Sequence, residues 1–195
     1  MSRLDRIDSA VDRAATIIDH MRAFGRVAGE DFAPFNIVAS VTAAVDLVRE
    51  PIAAKGVTLV NKVEDSVWIL GNTIQFEQVL INMVNNARDA ILDSSAWGSV
   101  TLRQSIEEDY VTVTIEDTGG GIPPEVLPHI FEPFYTTKAV GKGTGLGGSI
   151  SYGIIQDMQG NIWAENTHEG AKISIRLPIH SKENERSLET GNEQT

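Results

Sequence analysis

The 195-residue sequence contains no cysteine, which excludes a disulfide framework and any thiolate metal site. Basic residues are scarce: 16 Lys and Arg stand against 27 Asp and Glu, for a formal charge of −11. Nonspecific contact with nucleic acid or with an anionic membrane surface needs the opposite sign. No apolar run approaches the roughly 20 residues of a transmembrane helix, and no signal peptide is recognisable. A cytoplasmic location is the expectation for this stretch, with membrane attachment of a longer protein left open. Internal repeats are absent, and so is the His-Arg-Asp motif of the protein kinases. What remains, at 42% hydrophobic residues, is enough for one domain with a core of its own.

Glycine, by contrast, is concentrated: eight of the 17 glycines fall between Asp117 and Ser149. Ahead of them, Val111-Thr112-Val113-Thr114-Ile115 alternates apolar and polar as a half-buried strand does. Asp117 shares the parity of Val111, Val113 and Ile115, so its carboxylate points to the apolar side. Buried without a partner it would cost several kcal/mol, so it needs a hydrogen-bond donor. A pocket for a flat, amine-bearing ring would supply one. A turn at Asp117-Thr118-Gly119-Gly120, with Pro123-Pro124 opening a helix, is the plainer alternative. The second glycine cluster favours the pocket. Gly143-Thr144-Gly145-Leu146-Gly147-Gly148 runs into residues 149–155, whose apolar spacing is helical, and such a loop offers bare N–H groups and a helix dipole to phosphate. Its G-x-G-x-x-G pattern is not preceded by a strand, as a dinucleotide fold requires. Gly141-Lys142 is followed by Gly143, not by the Ser or Thr of a Walker loop.

A long helix is predicted over residues 73–92. Phe76, Val79, Leu80, Met83, Ala87, Ala90 and Ile91 make its buried stripe. Asn82, Asn85 and Asn86 lie within it although asparagine is a poor helix former, by about 0.5–0.7 kcal/mol against alanine. Gln78, Asn82, Asn86 and Asp89 form a polar stripe beside the apolar one. A line of side-chain oxygens near a phosphate loop suits Mg²⁺, a hard cation that also keeps waters and substrate phosphates; a solvated polar face is the plainer alternative.

The rest of the chain falls into place around these motifs. Leu4, Ile7, Val11, Ala14, Ile18 and Met21 step by 3, 4, 3, 4, 3, a heptad seam expected to pair in a bundle. Residues 1–28 are therefore predicted to be a dimerisation-type helix, residues 32–180 the domain and residues 181–195 a disordered polar tail. Within the domain, helix is expected over 37–54, with Pro51 kinking or ending it. Strands are expected over 57–63, 67–70, 99–106, 110–116, 161–166 and 171–178.

Together the motifs resemble the sensor histidine kinases of the GHKL ATPase superfamily. Residues 82–90 look like their asparagine box, 117–121 like the first glycine box, 131–134 like the phenylalanine box and 143–147 like the second glycine box. The N-terminal seam is similar to the second helix of their dimerisation and phosphotransfer hairpin. The resemblance implies an α/β two-layer sandwich, a mixed sheet backed by helices (the Bergerat ATP-binding fold), preceded by one coiled-coil-like helix. It implies ATP and Mg²⁺ as ligands and γ-phosphoryl transfer to a histidine. Asp117 would bind the adenine amino group, with Gly119, Gly121 and Ile122 around the nucleotide. Asn86 would ligate Mg²⁺, Asn82 would support the phosphate end, and Lys138 and Lys142 would neutralise phosphate charge. Residues 131–147 would form a mobile lid with Phe134 as its apolar anchor and Gly143, Thr144, Gly145, Leu146 and Gly147 along the phosphates. A downstream response regulator, a phosphoacceptor domain and a homodimer mate are the implied partners, and nucleic acid is not among them. Two departures stand out: Gly148 replaces a usually bulky apolar residue, and Glu169-Gly170-Ala171-Lys172 only loosely matches a final glycine motif. A GHKL ATPase of another branch, such as a serine-directed anti-sigma kinase, and a nucleotide-binding regulatory module are the alternatives.

A phosphoacceptor histidine in this family is normally followed by an acidic residue and a short basic-polar-proline run. Of His20, His129, His168 and His180, only His168 precedes an acid, and Gly170 then breaks the pattern. The expectation is a catalytic fragment that does not phosphorylate itself, its acceptor lying upstream or on another chain.

Overall fold

The structure, a computed structural model, describes residues 32–94, 97–138 and 144–180. The expected N-terminal helix, the expected tail, Lys142 and Gly143 lie outside the described residues.

A short strand, β1 (Ala33–Asn36), leads into helix α1 (Ile37–Ala53). Asn36 ends the strand and caps the helix, its Oδ1 accepting from the N–H groups of Val38 at 3.0 Å and Ala39 at 3.2 Å. Pro51 sits in the last turn, and the helix ends two residues beyond it. Strands β2 (Val57–Lys62) and β3 (Trp68–Gly71) follow, then the long helix α2 (Thr73–Ser94). Asn72 starts α2 by accepting the N–H of Gln75 on its Oδ1 at 3.1 Å. Strands β4 (Gly98–Glu107) and β5 (Tyr110–Asp117) form a hairpin. After the glycine-rich stretch come helix α3 (Gly147–Asp157) and the hairpin of β6 (Asn161–Asn166) and β7 (Ala171–Pro178).

The main sheet has the order β2-β4-β5-β7-β6. β2 runs parallel to β4 and every other pair is antiparallel, so the sheet is mixed as expected. Its inner face carries Val100 and Leu102 from β4, Val111, Val113 and Ile115 from β5, and Ile175 and Leu177 from β7, all buried. These meet the buried stripes of α1, α2 and α3 in one core. Ala90, expected in the α2 stripe, is only half-buried. β1 was not foreseen. It pairs with β3 as a separate two-stranded sheet and brings Phe35 against Phe76 of α2, with ring centroids 5.5 Å apart.

Candidate nucleotide-binding site

Asp117 is the last residue of β5 and lies on the strand's buried parity, only 6% exposed. Its Oδ1 accepts the N–H of Gly119 at 2.8 Å and that of Ala171 at 3.2 Å. Oδ2 has no recorded partner among the described residues. Burial drives the carboxyl above its ordinary range; the two backbone N–H bonds oppose that, and Glu116 adds to it. A buried acceptor with one lone oxygen fits an amine-bearing ring.

The surroundings leave little freedom. A Cβ on Gly170 would strike both the backbone oxygen and the carboxylate of Asp117, so only glycine lets the β6–β7 turn close under it. A Cβ on Gly119 would lie 2.8 Å from the Ala90 carbonyl carbon, which pins the loop to α2. Gly120 and Gly121 have φ of +81° and +88°, conformations that favour glycine. Asn166 then clamps the loop like an added strand residue. Its Oδ1 accepts the Ile122 N–H and its Nδ2 donates to the Ile122 carbonyl, both at 2.7 Å. Gly170 and Asn166 were missed as site residues: they stand 53 and 44 positions from Asp117 and Ile122, and only the loosely matching glycine motif hinted at either.

The other end of the site lies N-terminally along α2. Asn82 donates to Ser151 Oγ at 3.0 Å, and a Cβ on Gly147 would lie 2.6 Å from its Oδ1, so Asn82 seats the start of α3. No side chain caps that start, which leaves first-turn N–H groups open beside Thr144, Gly145 and Leu146. Asn86, one turn along, is exposed. Lys138 Nζ lies 2.6 Å from Asp89 Oδ2 and 3.5 Å from Asn86 Oδ1. Asp89 also accepts from Arg88 at 2.8 and 2.5 Å. Burial alone would raise the Asp89 carboxyl, but its bonds to Lys138 and Arg88 and their charges outweigh this and hold it below the usual range. From Asn82 to Ala90 the helix climbs about 12 Å, the scale of a nucleotide from phosphates to base.

The expected lid anchor is corrected by the structure. Phe134 is 76% exposed, with φ of +65°, a strained conformation for a side-chain-bearing residue. Phe131 packs instead, its ring 6.1 Å from Tyr152 on α3. The segment is held backbone to backbone: a Cβ on Gly145 would lie 2.5 Å from the carbonyl carbon of Phe134, and one on Gly148 would strike the Ile130 carbonyl oxygen. Where a bulky residue was expected, Gly148 leaves room for that carbonyl.

Residues 71–181 match the family model of histidine kinase-, DNA gyrase B- and HSP90-like ATPases. The chain belongs to this ATPase family. Within it, the catalytic domain of histidine kinase ThkA is 31% identical, with a TM-score of 0.67 over 75% of this chain and 97% of that one. The two-component sensor PprA of Pseudomonas aeruginosa is 37% identical over 91% of this chain, and sensor kinase CckA of Brucella abortus 36% identical over 88%. The chain spans only 20% of the length of each of these two sensors. The five-stranded mixed sheet backed by helices is that of histidine-kinase catalytic domains, and the ATPase domain is a nucleotide-using one. No helix of the described residues is long and apolar enough to cross a membrane.

Proposed function

We propose that this chain is the ATP-binding catalytic unit of a two-component sensor histidine kinase and transfers the γ-phosphoryl group of ATP to a histidine outside the chain. The observation that carries this is the buried Asp117, with one carboxylate oxygen left for the adenine amino group. Gly119, Gly121 and Ile122 shape the loop around the base. Asn82, Thr144, Gly145, Leu146 and Gly147 line the phosphate end, with Phe134 at its rim.

Phosphoryl transfer rests on positioning and charge neutralisation more than on covalent help from the protein. Asn86 holds Mg²⁺, whose role is to screen and orient the phosphates. Asn86 offers one hard oxygen, which suits a cation that keeps waters and phosphate ligands. Lys138 supplies positive charge beside it. The acceptor is placed outside the chain because none of the four histidines, His20 included, is followed by the run of a phosphoacceptor, and the described ones lie in no long helix: His129 ends a 3₁₀ turn, His168 is in the β6–β7 turn and His180 follows β7. ThkA is also known as a complex with the response regulator TrrA, at 26% identity to this chain and a TM-score of 0.72; a response regulator is the proposed downstream partner here. The heptad seam at residues 4–21 is proposed to pair two copies, which sedimentation at high concentration would show as a dimer.

The test is calorimetry with Mg-ATP. Asp117→Asn presents a donor to the adenine amine or loses its acceptor, and should weaken ATP at least about a hundredfold. Unchanged affinity would remove Asp117 from the site.

A further inference from the structure

We infer that Asp89 is a positioning residue: it holds the Lys138 ammonium at the Asn86 corner so that the lysine meets the terminal phosphate. This rests on the nucleotide site proposed above and adds a part to it. Lys138 has a flexible four-carbon stem, and a compact ammonium on such a stem finds a fixed place only against an anchor. Asp89 supplies one from α2, one turn beyond Asn86, with 2.6 Å between Oδ2 and Nζ. The anchor is itself fixed. Arg88 donates twice to Asp89 Oδ1 and once to Asn85 Oδ1, the latter at 2.7 Å. The Asp89 side chain is 30% exposed and that of Lys138 31%, so solvent does not fully screen the pair.

Charge distinguishes this arrangement from a closed surface ion pair. Two cations, Arg88 and Lys138, share one carboxylate, and no other acid is recorded against either among the described residues. One net positive charge is left beside Asn86, on a chain whose formal charge is −11. A salt bridge that served only stability would do as well with one cation. The third group at the corner, Asn86 Oδ1, lies 3.5 Å from Nζ, close enough that a ligand of Asn86 and a ligand of Lys138 would be neighbours.

Positioning and plain electrostatics predict opposite signs. Deleting a negative charge near bound phosphate should tighten an anion if Asp89 contributes only its field. If Asp89 positions Lys138, its deletion should loosen the nucleotide that carries the extra phosphate. The experiment is calorimetry of Mg-ATP and Mg-ADP on the full chain and on Asp89→Ala, Lys138→Ala and the double variant, with Asp89→Asn as the milder replacement. Mg-ADP binding and thermal melting report on the fold. Lys138→Ala should lower the ratio of ATP to ADP affinity about tenfold, the scale of one charge-assisted hydrogen bond. Asp89→Ala should lower it by a similar factor, and the double variant no further than Lys138→Ala, because the two residues act as one unit. Asp89→Glu should restore part of the loss. A ratio unchanged or raised in both Asp89→Ala and Asp89→Asn overturns the inference, whatever happens to stability, and so does a ratio unaffected by Lys138→Ala. If the unaltered chain binds neither nucleotide, the proposed function itself falls and takes this inference with it. Retained Mg-ADP binding with an unmoved ratio sinks the inference alone.

Discussion

The two ends of the proposed nucleotide site are made of different material. At the Asp117 end, packing does the work: a buried carboxylate, two backbone N–H groups, and two glycines, Gly119 and Gly170, whose missing side chains allow contact with Ala90 and with Asp117 itself. At the Asn86 end, side chains do it: an exposed asparagine, a half-exposed lysine and a shared carboxylate. Backbone contacts of the first kind cannot be rearranged without unfolding a turn. Ion pairs of the second kind are cheap to remake. If the site is the proposed one, such a division of materials produces a base-binding end that is finished before ligand arrives, joined to a phosphate end that nucleotide completes.

The largest break in that comparison should come at Gly170. Gly170→Ala forces a methyl group into the Asp117 backbone and should cost about 3 kcal/mol, with nucleotide binding lost. Thermal melting with and without ADP would measure both. Gly148→Leu attacks the other end. It wedges the Ile130 carbonyl off α3 and should cost about 2 kcal/mol, weakening Mg-ATP while leaving adenosine binding as it was. Equal loss of both ligands would mean that the two ends are not independent. Asn86→Ala should be milder, removing most of the Mg²⁺ dependence of ATP binding and again sparing adenosine; titration of affinity against Mg²⁺ decides it.

The smallest effect concerns pH. Burial holds the Asp117 carboxyl above its ordinary range. A raised carboxyl contributes stability below its unfolded pKa, and that contribution is lost as pH rises through the folded value. As pH rises, the empty domain therefore comes to carry an ionised group at a cost. Asp117→Asn should make the empty domain as stable or slightly more stable at pH 7, and this advantage should shrink in acid. A variant less stable at pH 7 than in acid, relative to the unaltered chain, would contradict this.

Much of the Asp117 end was legible in the sequence because a strand of period two fixes parity: once Val111, Val113 and Ile115 point inward, Asp117 must too. The long helix was equally plain, its boundaries moving only from 92 to 94 at the C-terminus. β1 was not, because Ala33-Pro34-Phe35-Asn36 carries a proline that demotes a strand, and it is tolerated here in a two-stranded sheet. Gly170, Asn166 and the seat of Ile130 on Gly148 were illegible for a different reason. Each is a contact between segments far apart in sequence, and a missing side chain announces nothing about what approaches it. Phe134 misled because the anchor was placed by the resemblance of residues 131–134 to a phenylalanine box, which does not say which of its two rings packs; here Phe131 lies against Tyr152 and Phe134 is exposed.

The most direct test of a preformed base end is amide hydrogen exchange on the nucleotide-free chain. The N–H groups of Gly119 and Ala171, which hold Asp117, and that of Gly120, which donates to the Glu169 carbonyl at 3.1 Å, should already be protected before nucleotide is added. Their protection should change little on adding Mg-ADP. Fast exchange at Gly119 and Ala171 that slows only with nucleotide would show that ligand builds this end too, and would contradict the account.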